Sequence, residues 1–201
     1  MDIGIFGGTF DPIHCGHLAV AEGVQSALEL SLIVFIPTGQ PWLKQDQEIS
    51  AAEHRVQMVR LAIAGRSGFE LCTMEVERPG PTYTVDTLKA LRRHYVDAAN
   101  LYFLVGSDAF ADFPKWKEPQ EIIGLCQLVV FRRPGFPLPS LEEFERRVPG
   151  ISQRVVFAGT PEVDVSATEI RSRIDQGLSV DGMVPPTVAQ YIKEKQLYEG
   201  K

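Results

Sequence analysis

Apolar and polar positions divide the chain into short apolar runs separated by longer amphipathic stretches. The runs "IGIF", "LIVFIP", "FELCT", "LYFLVG", "QLVVFRR" and "RVVFAG" have the length and β-branched or aromatic content of buried strands. Between them, "GHLAVAEGVQSALEL", "SAAEHRVQMVRLAIAG", "TVDTLKALRRHY", "EPQEIIGLC" and "SLEEFERRV" read as helices, and "SATEIRSRIDQG" and "PPTVAQYIKEK" follow the last strand as two more on the sheet edge. Ser50 with Glu53, and Ser166 with Glu169, have the spacing of helix-starting capping boxes, and Thr84 reads as a cap. "RRPGFPLP" (132–139) and "ERPGPT" (77–82) read as surface loops. Strand and helix alternation of this kind predicts an α/β architecture, a Rossmann-like doubly wound, mostly parallel sheet with the C-terminal helices packed on it. Ligands of such sheets bind beyond the carboxyl ends of the strands, where strand order reverses, so residues just after strands are the first candidates for chemistry.

At 201 residues and 44% hydrophobic content, without repeats or a linker-like stretch, one domain over 1–201 is expected. The formal charge of −6 argues against nucleic acid as a partner, so a phosphate site would be a local positive pocket. Cys15, Cys72 and Cys126 form no Cys-x-x-Cys, which fits a reducing cytoplasm better than a disulfide framework or a thiolate zinc site. Met1 leads into "DIGIF" without a basic region and apolar leader, and no apolar run approaches the roughly 20 residues that span a bilayer. Neither secretion nor membrane association is expected.

The stretch "GIFGGTFDPIHCGHLAVAEGV" (4–24) concentrates the candidate chemistry. Gly7 and Gly8 follow the first strand, where backbone without Cβ atoms can approach an anion or take positive φ. Their spacing fits neither the dinucleotide fingerprint nor the P-loop, and taken alone they fit a tight turn better than a phosphate cradle. Gly16 and His17 open the next helix, whose N-terminal N–H groups would face the same ligand, with His14 and His17 as imidazole donors. Two histidines without a carboxylate or third ligand make a poor metal site, and no metal ligand is assigned.

"GGTFDPIHCGH" resembles the signature of the nucleotidyltransferase superfamily, and its longer form is similar to that of nicotinate-nucleotide adenylyltransferases. "PTYTVDTL" (81–88), "FLVGSDAFADFPKW" (103–116), "VVFRRPG" (129–135), "VSATEIRSRI" (165–174) and "VPPTVAQYI" (184–192) extend the likeness over nearly the whole chain. The resemblance implies ATP contacts from Gly7, Gly8, Thr9, Phe10, His14, His17, Gly106, Asp108, Ser166, Thr168 and Arg171. It implies catalytic roles for His14, His17 and Arg171, with the Ser-x-Thr-x-x-Arg element holding the triphosphate opposite the histidines. It also implies mononucleotide contacts from Lys44, from Thr82, Tyr83 and Thr84 through backbone, and from Trp116 stacked on a pyridinium ring.

Read without the resemblance, Ser166 is a helix cap, Asp108 is as well explained by a cap as by a ligand contact, and Trp116 fits a surface loop. Arg171, a cation near a helix N-terminus, opposes the helix dipole unless an anion is bound there. The family's Pro-Pro-His-Lys stretch is replaced by "GQPWLK", which keeps Pro41 and Lys44 but lacks the histidine and leaves Trp42 without an assigned role.

The implied reaction is attack of the 5′-phosphate of nicotinate mononucleotide on the α-phosphorus of ATP, giving deamido-NAD and pyrophosphate in NAD biosynthesis, with Mg²⁺ carried by ATP. The nucleophile arrives ionised, so the histidines are expected to act as donors to oxyanions, their protonated form favoured by a neighbouring polyphosphate, and not as bases. Alternatives are adenylyl transfer to nicotinamide mononucleotide or another phosphorylated acceptor, and a non-catalytic nucleotide sensor. Acid against amide preference and oligomeric state, a homo-oligomer included, stay open.

Overall fold

A computed structural model describes residues 1–41, 49–96, 100–133, 135–159 and 165–200. Its main sheet is built from the six predicted apolar runs: β1 (Asp2–Gly8), β2 (Leu32–Pro37), β4 (Phe69–Leu71), β6 (Asn100–Gly106), β7 (Gln127–Phe131) and β8 (Val155–Ala158). They lie in the order β4-β2-β1-β6-β7-β8, with every pairing parallel. The order therefore runs outward in one direction from β1 and in the other from β6, so the crevice at the ends of these two strands is the switch point.

Period-two alternation divides the core between the two faces of the sheet. Ile3, Ile5, Val34, Ile36, Phe103 and Val130 face α4 (Thr84–His94), α5 (Ser107–Ala111), α6 (Pro119–Leu125) and α7 (Leu141–Arg147). Phe6, Ile33, Phe35, Leu104, Val129 and Phe131 face α1 (Cys15–Ala27), α2 (Ala52–Ile63), α8 (Ala167–Asp175) and α9 (Pro186–Glu194). The C-terminal helices thus cover a face of the sheet, not its edge, because Ile170, Val188 and Ile192 are buried in the same cluster as Phe6 and Met58.

Short elements depart from the sequence reading. The loop expected at 77–82 ends in β5 (Pro81–Thr82), which pairs in parallel with β3 (Gln40–Pro41) and is preceded by the one-turn helix α3 (Met74–Glu77). Ser50 does not cap α2. The N-cap is Ala51, and the backbone of Ser50 is used elsewhere, its N–H donating to Asp11 Oδ2 and its carbonyl accepting from Arg55 Nε. Thr84 is the first residue of α4 and Tyr83 the cap. Ser166 does cap α8, its hydroxyl accepting from the Glu169 N–H at 3.1 Å.

Candidate active site

Beyond the ends of β1 and β6 lies a cleft of about 630 Å³. Its floor begins with Gly7 and Gly8, which are the last residues of β1 and not part of a turn: Gly8 pairs with Pro37, and its carbonyl accepts from the Thr38 N–H. Neither has positive φ; Phe10 takes the left-handed conformation instead, at φ 50°. A Cβ on Gly8 would come within 3.0 Å of the Phe10 ring, so the glycine lets that ring fold beneath the loop. Phe10 is 2% exposed and packs edge-on against Phe6 and His17, so although it borders the cleft, most of its surface belongs to the core.

His14 is the N-cap of α1, and its backbone N–H donates to His17 Nδ1 at 3.2 Å. An accepting Nδ1 leaves the neutral ring's proton on Nε2, which makes that atom a donor. The two imidazoles stack with centroids 3.7 Å apart, and both line the cleft. His14 is 2% exposed, and its Nδ1 is buried without a hydrogen-bond partner. Burial, and secondly the positive charge of Arg133, push its pKa down to about 3. With the protein's own groups alone His14 is therefore neutral at physiological pH; for the charged form expected beside a polyphosphate, the bound polyanion has to offset both the desolvation and Arg133.

The opposite wall is the start of α8, with Ser166, Thr168 and Arg171. Arg171 Nη1 donates to the Asp11 carbonyl at 2.7 Å and Nη2 contacts Thr168 Oγ1 at 3.4 Å. This one guanidinium bridges the histidine loop and α8 across 160 residues of chain. Gly106 caps α5, so Asp108 lies in the first turn of that helix and is not its cap. Asp108 Oδ1 stands 3.5 Å from Arg133 Nε, and both residues line the cleft. The described residues of "RRPGFPLP" lie at the surface as expected, Phe136 being 52% exposed, yet Arg132, Arg133 and Phe136 also border the cleft, the Arg133 N–H donating to Ser107 Oγ at 3.0 Å.

At the other end stand Thr82, Thr84 and Trp116. The Trp116 ring packs edge-on against Phe103 at 6.1 Å and tilted against Phe113 at 5.4 Å, with its indole N–H buried and unpartnered. Tyr83 does not line the cleft: Lys117 Nζ lies 4.5 Å over its ring, and its carbonyl accepts from the N–H groups of Asp86 and Thr87. Lys44 and Trp42 lie outside the described residues. Every other residue expected at the site borders this cleft.

Residues 5–173 match the family described as Cytidylyltransferase-like. The chain belongs to that family. It is 47% identical over 195 residues to a Dehalococcoides mccartyi protein named "Probable nicotinate-nucleotide adenylyltransferase", covering 97% of this chain and 96% of the relative. A Thermomicrobium roseum protein of the same name is 44% identical over 98% of this chain and 91% of its own length. Among solved structures, a Plasmodium falciparum nicotinic acid mononucleotide adenylyltransferase complexed with NaAD superposes with a TM-score of 0.79 at 22% identity, covering 98% of this chain and 97% of the other. At that identity the likeness speaks for the α/β fold.

The site of this cytidylyltransferase-like chain also depends on residues that sequence reasoning left out. The Asp11 carboxylate, 4% exposed, accepts from Ser50 N–H at 3.0 Å and from the Tyr198 hydroxyl at 2.6 Å, while the Asp11 carbonyl holds Arg171. Asp11 stood inside the quoted motif, but its partners lie 39, 160 and 187 positions away, and no local pattern connects them. Tyr198→Phe keeps the ring and removes the hydroxyl. It is expected to lower stability by about 1–2 kcal/mol, since a charge-bearing acceptor loses a buried donor, and to lower catalytic turnover by loosening the Asp11–Arg171 contact. Urea denaturation and steady-state kinetics of the variant check both effects.

Proposed function

We propose that the chain transfers the adenylyl group of ATP to nicotinate mononucleotide, as a single domain over 1–201. The observation that carries this reading is one cleft at the switch point, lined by His14 and His17 on one wall, by Ser166, Thr168 and Arg171 on the other, and by Thr82, Thr84 and Trp116 at its end. Its support is the name borne by relatives 44–47% identical over nearly their whole length. The cleft divides the task, the histidine and α8 walls taking the triphosphate and the Trp116 end the mononucleotide.

In the reaction a phosphate oxygen of the mononucleotide forms a bond to the α-phosphorus, and the bond from that phosphorus to the bridging oxygen of pyrophosphate breaks. The attacking phosphate is already an anion, so no residue has to remove a proton from it. The protein's part is to hold the two phosphates in line and to supply donors where negative charge builds up. His17 Nε2–H, the buried edge of His14, the Arg171 guanidinium and the Thr9 amide take that part, the Gly8 amide being turned toward β2 by the parallel pairing. The orphaned Nδ1 of His14 is one sign of a polar ligand here, because buried polar atoms without partners are costly. Mg²⁺ enters as MgATP; among the described residues no group of three or more His, Cys, Asp or Glu side chains could hold it independently. The substrate chemistry, together with cysteines that are free in the structure, supports a cytoplasmic setting. No helix among the described residues is long and apolar enough to cross a membrane.

Incubation with MgATP and a panel of nicotinate mononucleotide, nicotinamide mononucleotide and phosphopantetheine, followed by pyrophosphate measurement, tests the reading. Release is expected with the pyridine nucleotides and greatest with the acid. Release with phosphopantetheine alone would move the chain to another acceptor, and none with any acceptor would leave a nucleotide-binding protein without this activity. Trp116→Ala is expected to raise KM for the mononucleotide about tenfold, roughly the 1–2 kcal/mol of a ring contact to a cation, with kcat little changed. A variant that lost kcat at unchanged KM would place Trp116 outside the ring-binding role.

A further inference from the structure

The Trp116 end of the cleft contains a buried acid that the transfer reaction does not use. Glu75, in α3, lines the cleft yet is only 6% exposed. The loop before β3 presses on it so closely that a Cβ on Gly39 would lie 2.2 Å from the Glu75 carbonyl oxygen. One carboxyl oxygen, Oε1, accepts from Thr87 Oγ1 on α4 at 2.7 Å; no described residue bonds Oε2.

The charged and titratable groups around Glu75 leave that oxygen for a ligand. Glu77 on α3 accepts from Thr73, and Asp86 on α4 pairs with Lys117. The Cys72 thiol, before α3, is pushed up by its own burial and secondarily by the charges of Glu70, Glu75 and Glu77. Arg78 follows α3 and attracts Glu75 electrostatically, but its buried Nη1 has no hydrogen-bond partner. Burial outweighs Thr87 and Arg78, and the Glu75 carboxyl is pushed up to about 7.

We propose that Glu75 selects the substituent of the pyridine ring, donating a hydrogen bond as a carboxylic acid to a ring carboxylate and accepting one as a carboxylate from a ring carboxamide. The proposal rests on the mononucleotide occupying the Thr82–Trp116 end, as in the proposed function. An ionised Glu75 would face a ring carboxylate as one buried anion facing another, so the acid substrate binds the protonated form. A carboxamide needs an acceptor for its NH₂ group, which the ionised form provides. Binding of the acid is therefore favoured below the Glu75 pKa, and binding of the amide above it. The direction is set by proton uptake with the acid.

The test is the ratio of kcat/KM for nicotinate mononucleotide to that for nicotinamide mononucleotide between pH 6 and 9, read by pyrophosphate release. Both substrates carry the same phosphate, so its titration cancels in the ratio. The wild-type ratio is expected to fall about tenfold per pH unit, the slope of one linked proton. In Glu75→Gln, whose side chain both donates and accepts at every pH, the ratio should be flat. A pH-independent wild-type ratio, or a Glu75→Gln protein that keeps the wild-type slope, overturns the proposal. A purely structural Glu75 would shift both substrates together and leave no slope. The wild-type measurement decides even where the variant folds poorly. Absence of release with either mononucleotide defeats the adenylyl-transfer reading itself, and this proposal with it.

Discussion

Replacing His17 by alanine is expected to lower kcat for adenylyl transfer about 100- to 1,000-fold, the effect of removing one preorganised donor from a developing oxyanion, while the mononucleotide KM changes little. The reasoning starts at the His14 N–H, which fixes His17 through Nδ1 and leaves Nε2–H as the donor. Packing does the rest: the ring is held edge-on by Phe6 and Phe10 and face-on by His14, so its donor is aimed before substrate arrives. A preoriented donor costs little reorganisation during the reaction, so its contribution falls on the transition state more than on ground-state binding. Two further variants separate this role from helix capping. Asparagine places an acceptor near the position of Nδ1 and should keep the cap without the donor, whereas glutamine reaches toward the position of Nε2. His17→Asn should therefore lose nearly as much kcat as alanine at near-normal thermal stability, and His17→Gln should recover part of it. Unchanged kcat with only a raised KM for ATP would defeat the transition-state role.

The second large effect is expected in stability. Arg55 is 2% exposed, and its guanidinium donates to the carbonyls of Ser50, Thr9 and Thr38 at 2.8–3.0 Å and to that of Gly39 at 3.4 Å. Those acceptors belong to the loops after β1 and β2 and to the approach to α2, so one planar side chain holds three segments together. Burial lowers its pKa, but Asp11 and Tyr198 pull in the other direction. Arg55→Met should cost about 3–5 kcal/mol, because removing one member of a buried charged network leaves the other charge and several carbonyls unmet. Arg55→Lys should restore only a minor part, since a compact ammonium cannot reach four carbonyls in the fork geometry of guanidinium. Equilibrium urea denaturation measures both, and a loss below about 1 kcal/mol for Arg55→Met would show that water replaces the guanidinium freely.

The main sheet was legible in the sequence because its four central strands, β2, β1, β6 and β7, are buried on both faces and so appear as nearly continuous apolar runs, while the half-exposed edge strands β4 and β8 still keep apolar residues at most positions. The paired β3 and β5, two residues each, and the short α3 and α5 are too brief for either hydrophobic period to register. Ser50 and Ser166 show the limit of local patterns. Both have the capping-box spacing, yet only Ser166 caps, because the backbone of Ser50 is taken up by Asp11 and Arg55. The expected residues that border the cleft could be picked out because they lie in contiguous motifs placed mostly just after strands. Arg133 was quoted within such a motif but given no role, and Glu75 carried no signal until α3 and α4 were brought together. Whether Thr82 or Tyr83 faces the cleft depends on the turn from β5 into α4, which the string "TYT" does not determine.

The Asp11 carboxylate receives the Tyr198 hydroxyl from 187 positions downstream. Synthesis proceeds from the N-terminus, so a nascent chain still in the ribosomal tunnel has its glycines, its histidines and most of its sheet, but Asp11 lacks the donor that completes its coordination. The bond from Tyr198 to Asp11 forms only after Tyr198 has emerged. Chains clipped shortly before Tyr198 are therefore expected to keep the main sheet yet to turn over poorly, because Asp11 then holds the histidine loop with one donor fewer.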